Sequence, residues 1–597
     1  MTELSTGALP ILDPVYPRRR TLRHTDVRVE AGPQPQHDDG QEMADSGDGT
    51  GNMARSSAIM AAGTMTSRLL GLMRTALLAL ALGNTGLITD IFSIANVLPN
   101  FIYLMVAGGL FNAVLVPQVI KAIHLPDRGS DFISRIMTLT LVVLAPLTLL
   151  VTLAAPLILQ TVTQLDANQL PLATIFAYWL FPQIFFYGLY AVMGQVLNAH
   201  GRFGAYMWAP ALNNVVAIAG LLVFIAMFGT NRDTGFSPGE WSSQATVVLA
   251  GSTTLGIVLQ ALILIWPLRK LRLGLRPQFG LRGVGLGTTA RVAKWTILTM
   301  LVGNGAYLVY TSVASKASSL RNDLMAQDPP QNIAGHFTLE TASMLYIIPH
   351  SVIALSLATV LFNRMSHSFT DKDLDGVRES ISTGLRTIGV ATVFCSAVLV
   401  VLAGPISVFF SGRSDVDAAI QAQVLVLLAV SAPFFSSTFV MNRAFYANED
   451  GRTPFIMQAI LSVVGVSMAV AAGLLPAQFI VMGLAVAYSL GNVAATIVSH
   501  IFLKRELGDY GAGHIADVHL RLVAAALVSA AVGGGALWLF GGYNTDGFAW
   551  QNYFTAVVVV VVCGTLMGLV YLALLKALHV NELKDFLKPL LRRVGRA

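Results

Sequence analysis

Two arginines inside an otherwise uncharged apolar stretch are the side chains best placed to do chemistry. Between Ser57 and Leu82 the ionisable residues are Arg68 and Arg74. An arginine in the middle of a bilayer costs roughly 2.5–3.5 kcal/mol even on lenient insertion scales. Arg68 stands about 11 positions or more from either end of the stretch, which places it roughly 16 Å from the interface. A side chain cannot snorkel that far, so Arg68 faces a cavity, whereas Arg74, nearer the surface, is open to either reading. The two positions lie about 120° apart around a helix, so they share one cavity if it is wide or if the helix bends at Gly71. Guanidinium groups recognise phosphate well. The chemistry expected here is therefore binding of an anionic group such as a phosphate or diphosphate.

Other polar residues extend this picture. Asp90 opens the next apolar run and either pairs with Arg74 across the short hairpin, as a gate, or stands as a solvated carboxylate favoured by the helix dipole. Asn96, Asn100, Gln183, Gln195, Asn198, Asn213 and Asn214 lie in or at the ends of first-half spans. Such amides serve helix packing through interhelical hydrogen bonds, and some can line a wet cavity. In the second half Glu340 and His350 are nearly the only ionisable groups within spans, so no carboxylate relay is visible. That scarcity favours the membrane potential acting on an anionic headgroup over a carboxylate ion site as the energy source.

The elements that must position these residues are transmembrane helices. Of 597 residues 54% are apolar and 12% charged, far from the roughly 25% charged of a soluble domain. Ile136–Leu159, Ile388–Phe410 and Phe554–Leu575 carry no charge at all, and eleven further stretches are long enough to cross a bilayer, giving about fourteen spans. The fold class is an all-α polytopic membrane protein. About fifteen Lys and Arg residues fall in loops on one side and about four (Arg232, Lys316, Arg321 and Arg413) on the other, which by the positive-inside rule puts both termini in the cytoplasm. The net charge of +6 thus records orientation and gives no reason to expect nucleic acid as a partner.

A shift of roughly 250 residues superposes Leu98-Pro99-Asn100 on Ile348-Pro349-His350, Ala154-Ala155-Pro156 on Ala403-Gly404-Pro405, and Gly201-Arg202 on Gly451-Arg452. The expected organisation is a disordered tail (1–54), six spans (55–268), a basic linker (269–294), six more spans (295–505), and two final spans with a cytoplasmic end (506–597). Enzyme signatures are absent: there is no Walker loop, HExxH, GxSxG or metal-spaced cysteine pair. Cys395 and Cys563 sit in apolar runs and cannot build a disulfide framework. No metal site or cofactor is expected. A membrane-embedded glycosyltransferase would need catalytic groups on an outer loop, and Asp233, Glu240, Asp323 and Asp328 read instead as solvated turn residues.

The run Ser67-Arg68-Leu69-Leu70-Gly71-Leu72-Met73-Arg74 is followed by Thr89-Asp90, Leu98-Pro99-Asn100 and Val116-Pro117. Then come Leu197-Asn198-Ala199, Arg202-Phe203, Ala209-Pro210, Phe445-Tyr446-Ala447 and Thr453-Pro454. In this order the chain resembles the MurJ/MviN lipid II flippases of the multidrug/oligosaccharidyl-lipid/polysaccharide exporter superfamily. The resemblance implies two six-helix lobes around a central cavity, plus two C-terminal helices. It implies transport of lipid II, an undecaprenyl-diphosphate-linked peptidoglycan precursor, from the inner to the outer leaflet of the plasma membrane by alternating access, with cell-wall synthesis proteins as candidate partners. Arg68, Arg74 and Asn100 would bind substrate and Asp90 would form the gate. Where many members carry basic residues this chain has Tyr103, Leu104 and Met344, and where they carry acidic ones it has Gly108 and Ile347. These departures resemble the high-GC Gram-positive branch without a C-terminal kinase-like domain. They keep open a second cargo, another polyprenyl-linked polysaccharide intermediate or an amphiphile.

Overall fold

The computed structural model describes residues 46–103, 119, 122–123, 126–231, 236–280, 286–325, 327–328, 331–412 and 414–583. The expected tail as far as residue 45, together with Leu104, Gly108, Val116, Pro117, Lys121, Arg232, Asp233 and Arg413, lies outside them. The residues up to Arg55 form one unit; Ser56–Ala597, which holds the membrane spans, forms another.

The described elements of that larger unit are helical, as apolar runs of this length must be where no water can satisfy the backbone. The first lobe comprises α1 (Ser46–Leu82), α2 (Leu87–Tyr103), α3 (Ser130–Leu153), α4 (Ala155–Val162), α5 (Leu170–Leu180), α6 (Gln183–Ala199), α7 (Phe203–Phe228) and α8 (Ser243–Lys270). The second begins with α9 (Leu286–Met325) and α10 (His336–Pro349). A π-helical turn at His350–Ala354 then leads into α11 (Leu355–Thr370), followed by α12 (Leu374–Val401), α13 (Ala403–Val408), α14 (Asp415–Ala429), α15 (Ala432–Ala447), α16 (Arg452–Ala472) and α17 (Ala477–Leu507). Two more helices, α18 (Ala512–Leu539) and α19 (Tyr553–Ala577), pack on α12 and α13. Among the described residues eleven segments pass as single membrane spans. Two bent pairs, α10 with α11 and α14 with α15, pass when each is taken as one span; the short apolar helix Leu87–Ile102 brings the segments to fourteen.

Of the repeated landmarks, Pro99 lies inside α2 whereas Pro349 ends α10, and the second pair falls at equivalent breaks. Ala154 ends α3 just before α4, and Leu402 ends α12 just before α13, each with proline soon after the break. Proline cannot donate to the preceding turn, so a helix that meets it breaks or kinks. Ile136–Leu159 and Ile388–Phe410, expected as single spans, are therefore each interrupted near one end. Gly201-Arg202 directly precedes α7, and Gly451-Arg452 lies at the start of α16, with Arg452 its first residue.

Each lobe has its own apolar core. Phe176, Phe181 and Phe224 anchor the first, and Leu425, Leu428 and Leu484 the second. The outward surface is apolar too: Leu149, Leu150, Leu153, Leu474 and Leu539 are all exposed. Exposed apolar area on this scale requires lipid around it. The start of the linker is not free of the lobe, because Arg276 N donates to Ser134 Oγ (3.2 Å) and Gln278 N to Thr138 Oγ1 (2.9 Å) along α3. Asp127 caps α3 by accepting from the backbone of Asp131 and Gly129, which holds its carboxyl below the usual carboxylate range.

Candidate transport site between the lobes

Helical periodicity builds the site. On α2, Asp90, Ser93, Asn96 and Asn100 follow one another at steps of three, three and four, so they form one stripe. On α10, His336, Glu340 and Met344 do the same at steps of four. On α9 the stripe is Ala314, Ala317, Ser318 and Arg321, all buried. α2 packs against both α9 and α10, so these stripes meet.

Where they meet, Asp90 is fully buried and accepts three hydrogen bonds from the other lobe. Arg321 Nη1 donates at 2.7 Å, Ser318 Oγ at 2.7 Å and the backbone N–H of Phe337 at 2.8 Å. Arg321 also donates from Nη2 to the Ile333 carbonyl (2.9 Å). Three donors suit an ionised carboxylate, which is an acceptor at both oxygens. The structure corrects both readings of Asp90: it is buried and so no solvated carboxylate, and its charged partner is not Arg74. Arg74 lies eight residues before the end of α1, about 12 Å along the axis, whereas Asp90 sits in the first turn of α2. Arg321, expected in an outer loop, fills the place. Its segment, Ala314 to Met325, reads as part of a polar loop and is the last three turns of α9; Ser315, Ser318 and Arg321 meet the other lobe, while Lys316 Nζ donates to the Gly473 carbonyl of its own lobe.

The α1–α2 turn plugs into the second lobe beside this pair. Asn84 Nδ2 donates to the Phe410 carbonyl (2.7 Å), while Asn84 Oδ1 accepts from Thr338 Oγ1 (3.0 Å). Thr85 donates to Asp417 from both its backbone and hydroxyl, and Asn332 Nδ2 donates to Asp417 Oδ1 (3.0 Å). Gly83 makes the turn possible with a φ of 84°. Beyond the plug, Gln164 N donates to Ser315 Oγ (2.8 Å) and Gln169 Nε2 to the Ser318 carbonyl (3.4 Å). At this hairpin end the two lobes are closed on each other. Gly335 sits so tightly against Asp90 and Arg321 that a Cβ there would overlap both side chains. Gly335→Ala is expected to push the lobes apart, lowering the yield of a cross-link between cysteines placed on the α1–α2 turn and on α14.

Both arginines of α1 face α10, which runs antiparallel to α1. Thr75 Oγ1 contacts Met344 Sδ (3.8 Å), and Arg68 lies within electrostatic reach of His350. Both guanidinium-bearing residues are half-buried, and α1 runs through Gly71 without a break. Arg74 lines a small chamber of about 80 Å³ with Ser93, Asn96, Glu340 and Met344. Asn100, one turn past Asn96, is exposed beyond it. Glu340 has a larger part in the site than its isolated place in the sequence suggests: Ser93 Oγ donates to it across the lobes, and His336 Nδ1 lies 3.0 Å from the same hydroxyl. The signal is the four-residue step from His336 to Glu340, facing the polar stripe of α2.

Two further spaces among the described residues bear on the cargo. A recess of about 380 Å³ in the second lobe is lined by Tyr307, Tyr310 and Tyr488 with Asn442, Asn492 and Gln458. An apolar groove of about 810 Å³ runs between α12, α15, α17 and α18 and opens past the exposed Phe434, Val523 and Leu527. Among the described residues no cluster of His, Cys, Asp and Glu could hold a metal ion.

The family model described as "Lipid II flippase MurJ" matches residues 78–559, from the end of α1, after Arg68 and Arg74, through the rest of both lobes and α18 to the first turns of α19. The chain belongs to the MurJ lipid II flippase family. Its members are transporters, not enzymes. Relatives named "Probable lipid II flippase MurJ" include one from Vibrio cholerae, 26% identical over 513 residues covering 81% of this chain and 88% of that one. Another, from Synechocystis, is 26% identical over 422 residues, or 69% of this chain and 75% of that one. Among solved structures, a MurJ in an inward closed conformation superposes with a TM-score of 0.65 at 19% identity, covering 89% of this chain and all of that one. An inward-facing MATE-family multidrug transporter of the MOP superfamily gives 0.60 at 17% identity, covering 74% and 95%. The two-lobe MurJ architecture is thus that of this chain. Met344, at a position expected to be basic in MurJ proteins, instead packs its sulfur on Thr75.

Proposed function

We propose that this chain moves lipid II from the inner to the outer leaflet by alternating access, with Arg68 and Arg74 taking the diphosphate and Asn100 contacting the headgroup. The observation that carries this reading is the placement of both arginines between the lobes, facing α10, behind a closed hairpin end. The basic loops put the hairpin end outside and both termini in the cytoplasm, so the protein in this conformation has its outer gate shut, with Asp90 in the gate. Cargo then enters from the linker end, and the lobes rock open at the hairpin end to release it. The apolar groove between α12, α15, α17 and α18 offers a seat for a hydrocarbon chain at the lipid boundary. The aromatic and amide recess in the second lobe has the chemistry of sugar contacts. Peptidoglycan-synthesis proteins are the expected neighbours of such a transporter.

The test is exposure of lipid II on the outer leaflet in bacteria depleted of their own flippase. This chain is expected to restore exposure. If exposure stays at the depleted level with the protein present in the membrane, the cargo is the second candidate, another polyprenyl-linked polysaccharide intermediate. That alternative rests on Tyr103, Leu104 and Met344, which leave fewer cations for a diphosphate than the family pattern.

A further inference from the structure

The chamber beside Arg74 holds two charged residues of opposite sign from opposite lobes. Arg74 comes from α1, and Glu340 comes from α10. No direct ion pair joins them among the described residues. Glu340 is held by Ser93 of α2, and a hydroxyl has a single proton to give. Since Ser93 donates that proton to Glu340, the contact with His336 Nδ1 must run the other way, with the imidazole donating to Ser93. The chain of donors therefore ends on the Glu340 side-chain oxygen. Its neighbours are His336 on its own helix, Arg74 and Ser93 from the first lobe, and Tyr307 from α9 within electrostatic reach; Asp90, bound to Arg321, is likewise within electrostatic reach of His336.

A chamber of about 80 Å³ has room for a few waters. Arg74 and Glu340 line the same chamber, so a diphosphate that reaches Arg74 there comes up against Glu340 and brings more negative charge than Glu340 does. We propose that Glu340 is the resident anion of the Arg74 site, which the cargo's diphosphate displaces, so that headgroup binding and loss of the Ser93–Glu340 contact are one event. The inference rests on the proposed cargo. It gives transport a coupling step: the group displaced by cargo is one of the groups that hold the outer gate shut.

Glu340→Gln tests it, because glutamine still accepts from Ser93 while the charge is gone. The probe is a short-chain polyprenyl diphosphate binding to the purified full chain, with the matching polyprenyl alcohol as control. Glu340→Gln is expected to bind the diphosphate on the order of tenfold tighter than the wild type, and the gain is expected to vanish when Arg74 is also changed to Gln. Unchanged or weaker binding in Glu340→Gln, or a gain that survives Arg74→Gln, overturns the proposal. If the wild type binds the diphosphate no better than the alcohol, the cargo reading falls instead. The lobe contact is then read without lipid from spin labels at Gln244→Cys and Asp415→Cys, both exposed. Ser93→Ala, which removes the contact, is expected to shift that distance distribution to longer values, and an unchanged distribution overturns the latch itself.

Discussion

Arg68→Ala is expected to reach the membrane at the normal level and to fail in supporting growth of a strain depleted of its own flippase. The reason is electrostatic. A charge-assisted hydrogen bond contributes about 1.5–3 kcal/mol, so losing one or two such bonds to a diphosphate weakens binding by one to several orders of magnitude. The loss falls on transport and not on folding, because Arg68 is half-buried between the lobes and its removal leaves no partner charge stranded in an apolar core. Arg68→Lys keeps the charge and loses the planar fork, so it should retain part of the activity. Growth rescue by Arg68→Ala at wild-type level would remove Arg68 from the site.

Breaking the Asp90–Arg321 pair is expected to have the second largest effect, and of a different kind. Both groups are buried, at 0% and 3% exposure, and removing one partner of a buried pair costs about 3–5 kcal/mol because the other charge is left unpaired. Part of that cost falls on the closed hairpin end, where the pair joins α2 to α9. Asp90→Asn or Arg321→Met should therefore move the closed-to-open ratio by about a hundredfold or more, seen as widened distances between labels on the two lobes. The double variant strands neither charge and should be milder than either single one. Coupling measured the same way between Asp90 and Arg74 should be near zero, since Asp90 engages Arg321 and not Arg74. A double variant as damaging as the two singles combined would contradict the pairing.

Much of this site is written in helical spacing, though not all of it in a form that composition exposes. Arg68 and Arg74 are conspicuous because a charge inside a bilayer-length apolar run is costly. The lobes and most spans follow from hydropathy alone. Arg321 is hidden because Ser315, Lys316, Ser318, Ser319 and Arg321 together look like a solvated loop. Hydropathy cannot distinguish polar residues that face water from those that face another lobe's polar groups. The buried positions Ala314, Ala317, Ser318 and Arg321 keep helical spacing, and that is the readable clue. The pairing of Asp90 is not readable at all: it depends on which helix of the second lobe lies against α2, a fact of tertiary packing. Glu340 is visible as an isolated carboxylate, and only the meeting of α2 with α10 gives it Ser93 and Arg74 as neighbours. The helix breaks at Ala154 and Leu402 show the opposite case, since proline spacing in the two halves marks both.

The most direct test of transport through this site is lipid II flipping by the purified chain in sealed proteoliposomes. The wild type is expected to carry lipid II across the bilayer, and Arg68→Ala and Arg74→Ala, reconstituted in equal amounts, are expected not to. Flipping at the wild-type rate by both variants, or none by the wild type, would contradict the proposed site.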